Sequence, residues 1–258
     1  MKILVLVKQV PQSESDIRID ESSAWILTEK STTFRMNRFD ESAVEEALLI
    51  RESHSDTKVD VLSVGPERAA MAVKRALGMG ADHGVHILTE NGGYQSPLTI
   101  ASLIASYATD KKYELIMAGV MAEDSMQGQV GPMTAELLSL PCATSVVLEK
   151  IAPEKGSVYV EREIEGGLRD ALELNLPAVL TIQTGINKPR YPSLSNILRA
   201  KKQDLEIVGE SELERLDPRE DILKAHYPQK ARAGVVLEGT QQEKAVQLLK
   251  ILREKSLI

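Results

Sequence analysis

The sequence predicts an α/β protein built on a doubly wound, mostly parallel sheet. Three observations carry that prediction. Short continuous runs of Val, Ile and Leu recur along the first half of the chain, as in strands buried on both faces. Between them lie stretches with apolar residues at helical spacing, and such alternation is the mark of a parallel sheet. Glycine and proline gather at the joints, as at Gly65-Pro66.

Residues 3–7 form the first apolar run and predict a strand. Asp40 is placed as the N-cap of a helix over residues 41–52, in which Ala43, Ala47 and Ile50 share a face with Val44 and Leu48. Glu41 adds negative charge to its first turn. Residues 59–64 predict the second strand, followed by a helix over 67–77 with Gly78 and Gly80 near its end. A strand over 84–88, a helix over 97–109 rich in Leu, Ile and Ala, and a strand over 114–119 continue the series. Crossovers in such a sheet are right-handed, and ligands sit at the carboxyl ends of the strands. That directs attention to the segments after Val7, Val64 and Gly119.

A short helix over 132–140 follows, then strands over 144–150 and 157–164 joined by the turn Pro153-Glu-Lys-Gly156, then a strand over 178–182. After Gly185 the texture changes. Pro189, Pro192, Pro218 and Pro228 punctuate a long, charged, weakly periodic stretch of a kind uncommon inside a compact domain. The expected organisation is therefore an α/β domain over 1–184, with a loop, an extended arm and a terminal helix over 185–258. In that helix Val246, Leu249 and Leu252 repeat at helical spacing, with Leu248 and Ile251 nearby. The stripe serves either to close the fold or to pack on a partner.

The 258 residues suffice for a sizeable core, and 43% hydrophobic with 27% charged residues reads as soluble and globular. Aromatics at 3% leave little for stacking single-stranded nucleic acid. A net charge of −7 disfavours nucleic acid and anionic membrane as general partners. One cysteine, Cys142, and four scattered histidines offer no disulfide and no metal-ligand spacing, and Cys142 beside an apolar run reads as a structural thiol. No run approaches membrane-spanning length and the first apolar run is too short for a signal sequence, so a cytoplasmic protein without membrane insertion is expected.

The segment Met121–Met133 follows the fourth predicted strand and opens a helix. Gly128 and Gly131 permit close backbone approach and unusual dihedrals, and Pro132 suits the first helical position. Amides around Gln129, Val130 and Gly131 would face a helix N-terminus, where a phosphate is favoured, with Ser125 and Gln129 as side-chain donors. An ordinary glycine-containing connection without ligand fits the spacing equally well. The segment is neither a dinucleotide fingerprint nor a Walker A loop. Glu123 and Asp124 disfavour a triphosphate without metal, and Asp124 is expected to accept hydrogen bonds from a ribose or from backbone amides.

Several segments in order carry a family. Val5-Leu-Val-Lys-Gln-Val-Pro11, Asn37-Arg-Phe-Asp-Glu-Ser-Ala-Val-Glu-Glu-Ala47, Ser63-Val-Gly-Pro66 and Arg75-Ala-Leu-Gly-Met-Gly-Ala-Asp82 come first. Gln129-Val-Gly-Pro132, Val160-Glu-Arg-Glu-Ile-Glu-Gly-Gly-Leu168 and Pro189-Arg-Tyr-Pro-Ser-Leu194 through Ala200-Lys-Lys202 continue the series. Together they resemble the β subunits of electron transfer flavoproteins, from the first strand to about Val208. The resemblance implies a heterodimer with an α subunit that holds most of a shared FAD. It also implies an adenine-nucleotide α-hydrolase-like fold that buries AMP, or a second FAD in a flavin-bifurcating subgroup.

Carried over onto this sequence, the nucleotide site comprises Leu6, Asn37, Arg38, Phe39, Asp40 and Val64. Its remaining members are Gly119, Val120, Met121, Ala122, Glu123, Asp124, Ser125, Met126, Gln127, Gly128, Gln129 and Val130. Bifurcating relatives tend to carry an Asp-Gly-Asp-Thr-Ala-Gln-type loop. Here Asp124-Ser-Met-Gln-Gly-Gln129 puts Met126 in place of the second acid and Gln127 in place of the Thr, and Val120 and Met121 stand where an Arg-Gln pair is frequent. These departures favour AMP and one-flavin transfer, although the AMP-type pattern is matched only in part.

The family also presents a loop whose leucine anchors in partner flavin dehydrogenases of the acyl-CoA dehydrogenase type. Leu194 aligns with that anchor, Tyr191, Pro192 and Ser193 fix the approach, and a short helix over 196–200 with Ile197 stands behind it. On composition alone a leucine is more often core than contact. Arg199, Lys201 and Lys202 form a solvated face that would also steer an acidic partner. The alternating charges of Val160–Glu165 read either as an exposed strand edge or, at Glu163 and Glu165, as a contact with the flavin-bearing domain of the α subunit. An electron carrier subunit needs no catalytic residue, and none is assigned. An ATP-using enzyme of the wider fold would need a Ser/Gly-rich loop after the first strand, which Val7-Lys-Gln-Val-Pro11 does not offer, and the arm and terminal helix speak against a free-standing nucleotide sensor.

Overall fold

The computed structural model describes residues 1–12, 18–20, 25–27, 32–90, 93–227 and 234–258, so Pro228 lies outside the described residues. The chain divides into two compact units, Met1–Ala225 and His226–Ile258.

The first unit carries thirteen strands among its described residues: β1 (Lys2–Leu6), β2 (Gln9–Pro11), β3 (Arg18–Asp20), β4 (Trp25–Leu27), β5 (Phe34–Met36), β6 (Lys58–Gly65), β7 (His83–Leu88), β8 (Leu115–Gly119), β9 (Cys142–Ala152), β10 (Ser157–Glu163), β11 (Arg169–Asn175), β12 (Ala178–Ile182) and β13 (Glu206–Gly209). Its helices are α1 (Arg38–Ser53), α2 (Ala70–Met79), α3 (Pro97–Ala108), α4 (Val130–Leu137) and α5 (Leu194–Lys202). Nine strands form one sheet in the order β11-β10-β9-β12-β8-β1-β6-β7-β13. Pairing is parallel from β9 to β13 and antiparallel within β9-β10-β11. β2 pairs with β5, and β3 with β4, as two small antiparallel ribbons.

The period-2 alternation of β1 explains its wholly apolar sequence. Ile3 and Val5 face a core shared with Ala43, Val44 and Leu48 of α1 and with Val73 and Leu77 of α2. Leu4 and Leu6 face the opposite core, shared with Leu103, Ile104 and Tyr107 of α3. Both sides of the strand are at or near zero exposure, so neither tolerates a polar residue.

The structure corrects several expectations. The N-cap of α1 is Asn37, and Asp40 lies inside the first turn because its carboxylate serves the ends of two strands. α4 begins at Val130, so Pro132 is its third residue, still within the first turn where a missing N–H is tolerated. The alternating charges of β10 are not at a sheet edge. β11 covers it, and Glu161 and Arg162 pair with Arg169 (3.1 Å) and Asp170 (3.5 Å) across the strands. The alternation of Leu172 and Leu174 in β11, both packed on the core, was the available signal for that strand. β13 extends the opposite edge after α5.

The second unit holds α6 (Gln241–Glu254), closed by a capping box. Thr240 Oγ1 accepts from the Glu243 amide at 3.3 Å, and the Glu243 carboxylate accepts from the Thr240 amide at 2.7 Å. Val246, Leu248 and Leu249 are exposed on this helix. Among the described residues no helix is long and apolar enough to cross a membrane.

Candidate functional site

β1 has β6 on one side and β8 on the other, so the connections leaving β1 and β8 diverge and open a crevice at their carboxyl ends. A pocket occupies that crevice. Its floor is apolar, from Leu6, Leu62, Val64, Ala118 and Ile104. Its polar side is made by Lys8, Asn37, Asp40, Arg68, Asp124 and the start of α4.

Asp40 ties the crevice together. Its Oδ2 accepts from the Lys8 amide at 2.7 Å, and its Oδ1 accepts from the Gly119 amide at 3.1 Å and Asn37 Nδ2 at 3.0 Å. Burial pushes the carboxyl up to about 7, against the pull of these hydrogen bonds from Lys8, Asn37 and Gly119. Asn37 carries the knot onward: Nδ2 also donates to the Met121 carbonyl at 2.8 Å, and Oδ1 accepts from the Glu123 amide at 3.2 Å. Gly119 is required here because a Cβ would meet Asp40 Oδ1 and the backbone of Phe39.

The loop between β8 and α4 is folded on itself. Ala122 N donates to the Gln127 carbonyl at 3.0 Å, and Met126 N to the Ala122 carbonyl at 2.7 Å. The left-handed residue is Met126 (φ 53), not a glycine. Gly128 and Gly131 serve packing instead: a Cβ on the first would lie 2.6 Å from the Val120 carbonyl oxygen, and on the second 2.6 Å from Thr181 Cγ2. The two loop acids are both neutralised. Glu123 takes a bidentate bond from Arg35 at 2.8 and 2.9 Å, and Asp124 pairs with Lys8 Nζ at 2.7 Å while accepting from its neighbour Ser125 N at 2.9 Å. The first-turn amides of Val130 and Gly131 have no intrahelical acceptor and line the pocket.

Of the residues carried over by resemblance, Leu6, Asn37, Asp40, Val64 and Gly119 line the pocket, as do Met121, Ala122, Asp124 and Ser125. Gln127, Gly128, Gln129 and Val130 complete that side. Five others do not line it. Val120 donates to the Ile182 carbonyl within the sheet, Glu123 is held by Arg35, and Met126 is 69% exposed. Arg38 is an exposed side chain at 3.9 Å from Glu123, and Phe39 packs against Gly119. Sequence reasoning missed Lys8, Gln9, Arg68, Trp25 and Tyr94, which also line the pocket. Arg68 Nη1 donates to Gln9 Oε1 at 2.6 Å and its guanidinium lies 4.1 Å from the Phe34 ring centroid. Lys8, Gln9 and Arg68 had a positional signal, because they follow the first two predicted strands; Trp25 and Tyr94 had none.

A second feature is the loop from Asn187 to α5, pinned on three acids of α1. Asn187 Nδ2 donates to Glu46 Oε2 at 2.6 Å, and Arg190 makes bidentate contact with Glu45 and reaches Glu52 at 2.7 Å. Glu46 and Glu149 of β9 are neighbouring carboxyls; burial raises both, with repulsion from Glu45 adding to it at Glu46 and repulsion from Glu46 pushing Glu149 up to about 7. Beyond this base Pro192 is buried, a Cβ on Gly78 falling 3.5 Å from it, and Ile197 is half-buried. Tyr191 and Leu194 project, 84% and 73% exposed, with Arg75 4.9 Å from the Tyr191 ring centroid. Ser193 caps α5 by accepting from the Asn196 amide at 3.2 Å. At the far end of the sheet, Glu163 accepts from Gln183 at 3.2 Å, and exposed Glu165 opens the turn whose Gly166 (φ 78) and Gly167 (φ 72) need left-handed backbone.

Comparison with known proteins finds relatives along nearly the whole chain. A model of the electron transfer flavoprotein domain matches residues 24–213. The electron transfer flavoprotein subunit beta of Bacillus subtilis (strain 168) is 34% identical over 272 aligned residues, covering 100% of both chains. Its counterpart from Methylophilus methylotrophus is 32% identical, covering 98% of each chain. The Mus musculus protein is 35% identical, covering 93% of this chain and 94% of its own.

Proposed function

Because the chain belongs to the electron transfer flavoprotein family and aligns with its β subunits over nearly its whole length, we propose that it acts as the β half of a cytoplasmic heterodimeric electron carrier. In this reading it binds AMP in the crevice between β1 and β8, docks flavin dehydrogenases at the Leu194 loop, and has no catalytic residue. The segment after residue 184 serves partners, through the loop, the arm and the exposed apolar residues of α6. FAD held mainly by the α subunit supplies the electron-accepting and electron-donating chemistry.

One observation supports the nucleotide most strongly. The first turn of α4, Lys8 and Arg68 line one pocket over an apolar floor, and the two nearby acids are already paired. That donor set suits one phosphate and a flat apolar base, and among the described residues it offers no second cation cluster for a triphosphate. Glu163 and Glu165 stand at the exposed hairpin tip, where they would limit the swing of the flavin-bearing domain. The Tyr191–Leu194 projection on a base fixed by Glu45 and Glu46 fits a carrier that must bind and release, since one apolar anchor on a rigid loop gives modest affinity.

The deciding experiment is the cofactor content of the chain co-purified with its α partner, by acid release and chromatography. One FAD and one AMP per heterodimer is the expected result. Two FAD without AMP would replace this reading with flavin bifurcation, and ATP hydrolysis by the chain alone would replace it with an enzyme.

A further inference from the structure

We propose that Trp25 and Tyr94 form a stacking wall for a planar heteroaromatic ring in the pocket, and that Glu220 positions that wall. The inference rests on the nucleotide reading of the same pocket and adds the part that would recognise the ring.

Aromatic residues make up 3% of the chain and Trp25 is its single tryptophan, yet Trp25 and Tyr94 meet at this pocket and both line it. Their ring centroids are 4.9 Å apart with planes tilted by 59°. The Tyr94 hydroxyl donates to Glu220 Oε1 at 2.9 Å. That bond fixes the long axis of the ring, on which the hydroxyl lies, and Trp25 packed 4.9 Å away restricts how its plane can turn. Glu220 is in turn placed by the chain before it, which is strapped to α3. The Glu214 amide donates to Ser106 Oγ at 2.9 Å, the Leu216 amide donates to Ser102 Oγ at 2.9 Å, and the Leu216 carbonyl accepts from Thr99 Oγ1 at 3.0 Å. A segment more than a hundred residues away thus sets the orientation of a pocket-lining ring.

The chemistry that fits is a flat π-face beside a phosphate. Adenine and an isoalloxazine ring share it, because aromatic stacking is tolerant of ring identity. The phosphate end is served by Lys8, Arg68 and the α4 amides, so the wall contributes to the ring and not to the phosphate.

The full chain would be titrated by calorimetry with AMP, with FAD and with ribose 5-phosphate, while the emission of Trp25 is followed. AMP or FAD is expected to change that emission. Tyr94→Ala should weaken the ring-bearing ligand about tenfold and leave ribose 5-phosphate unchanged. Tyr94→Phe and Glu220→Ala, which keep the ring and remove the same hydrogen bond, should each weaken it about threefold. Should Tyr94→Ala fail to fold, these two variants and the Trp25 signal carry the test. Equal weakening of AMP and ribose 5-phosphate, or binding without any change in Trp25 emission, overturns the stacking wall while leaving the nucleotide reading intact. Absence of binding by every ligand removes the nucleotide reading first and this inference with it. Tighter binding of FAD than of AMP, with the same sensitivity to Tyr94→Ala, identifies the ring as a flavin.

Discussion

Asp40 shows how much one side chain can decide. Its carboxylate accepts three N–H groups from the ends of β1 and β8 and from Asn37, so it sets where the two strands open into the crevice. An asparagine has the same shape but replaces one acceptor oxygen with a donor. Asp40→Asn therefore turns an amide of Lys8 or Gly119 toward another N–H and leaves it unsatisfied. The expected cost is about 1–3 kcal/mol in urea unfolding, together with weaker AMP binding. An unchanged unfolding midpoint would show that the knot is dispensable. Gly119 illustrates the same dependence on close approach, since its missing Cβ is the space that Asp40 occupies.

At the scale of elements, the loop before α5 depends on α1 for its shape. Glu45 is only 6% exposed, and among the described residues Arg190 is the cation that neutralises it, by bidentate contact. Arg190→Ala removes that charge and leaves the buried carboxylate with the backbone amide of residue 190, at 2.9 Å. Thermal denaturation should register a loss of about 2–4 kcal/mol, less than for a fully buried pair because Arg190 is part-exposed. The double variant Arg190→Ala/Glu45→Gln should recover much of the loss, and equal damage in both would refute the charge explanation. The neighbouring pair Glu46–Glu149 joins α1 to β9 and gives stability a pH dependence. Glu149 titrates near 7 when folded and near 4.5 when unfolded. Below 4.5 both states carry the proton and there is no penalty. As pH rises from 4.5 to 7 the unfolded chain releases it first, so stability falls, and above 7 the loss is complete. Glu149→Gln should remove its share of that decline, leaving the part that Asp40 contributes over the same window, and be more stable than the parent at pH 8 by roughly 1–3 kcal/mol, measured by urea unfolding at pH 5 and 8.

At the scale of the whole molecule, the proposed functions occupy separate parts of one scaffold: a crevice at the strand ends and a projecting loop on the helical face. Separation predicts independent behaviour. Leu194 is 73% exposed and contributes little to the fold, so Leu194→Ala should leave unfolding within about 0.5 kcal/mol of the parent. Stopped-flow reduction of the heterodimer by a flavin dehydrogenase should nevertheless require about tenfold more carrier to saturate. A large loss of stability would mean that Leu194 supports the fold instead of a partner. The strands and helices of the doubly wound sheet were legible in the amino-acid order, because burial on both faces imprints local, periodic signals at β1, β6, β8 and β12. The loop leading to α4 was legible as well, through its glycines and Pro132, although the structure gives those glycines a packing role. Other features were masked. The alternating Leu172 and Leu174 of β11 were obscured by charges whose partners lie across the strand, and Asp40 passed for a helix cap. The sequence by itself therefore determined which segments become strands and helices and which strand ends are candidates for a site. Only the tertiary structure decided that Asp40 meets donors 32 and 79 positions away and that Tyr94 meets Glu220 across 126, because contacts between distant segments depend on how the whole sheet is ordered and not on any local repeat.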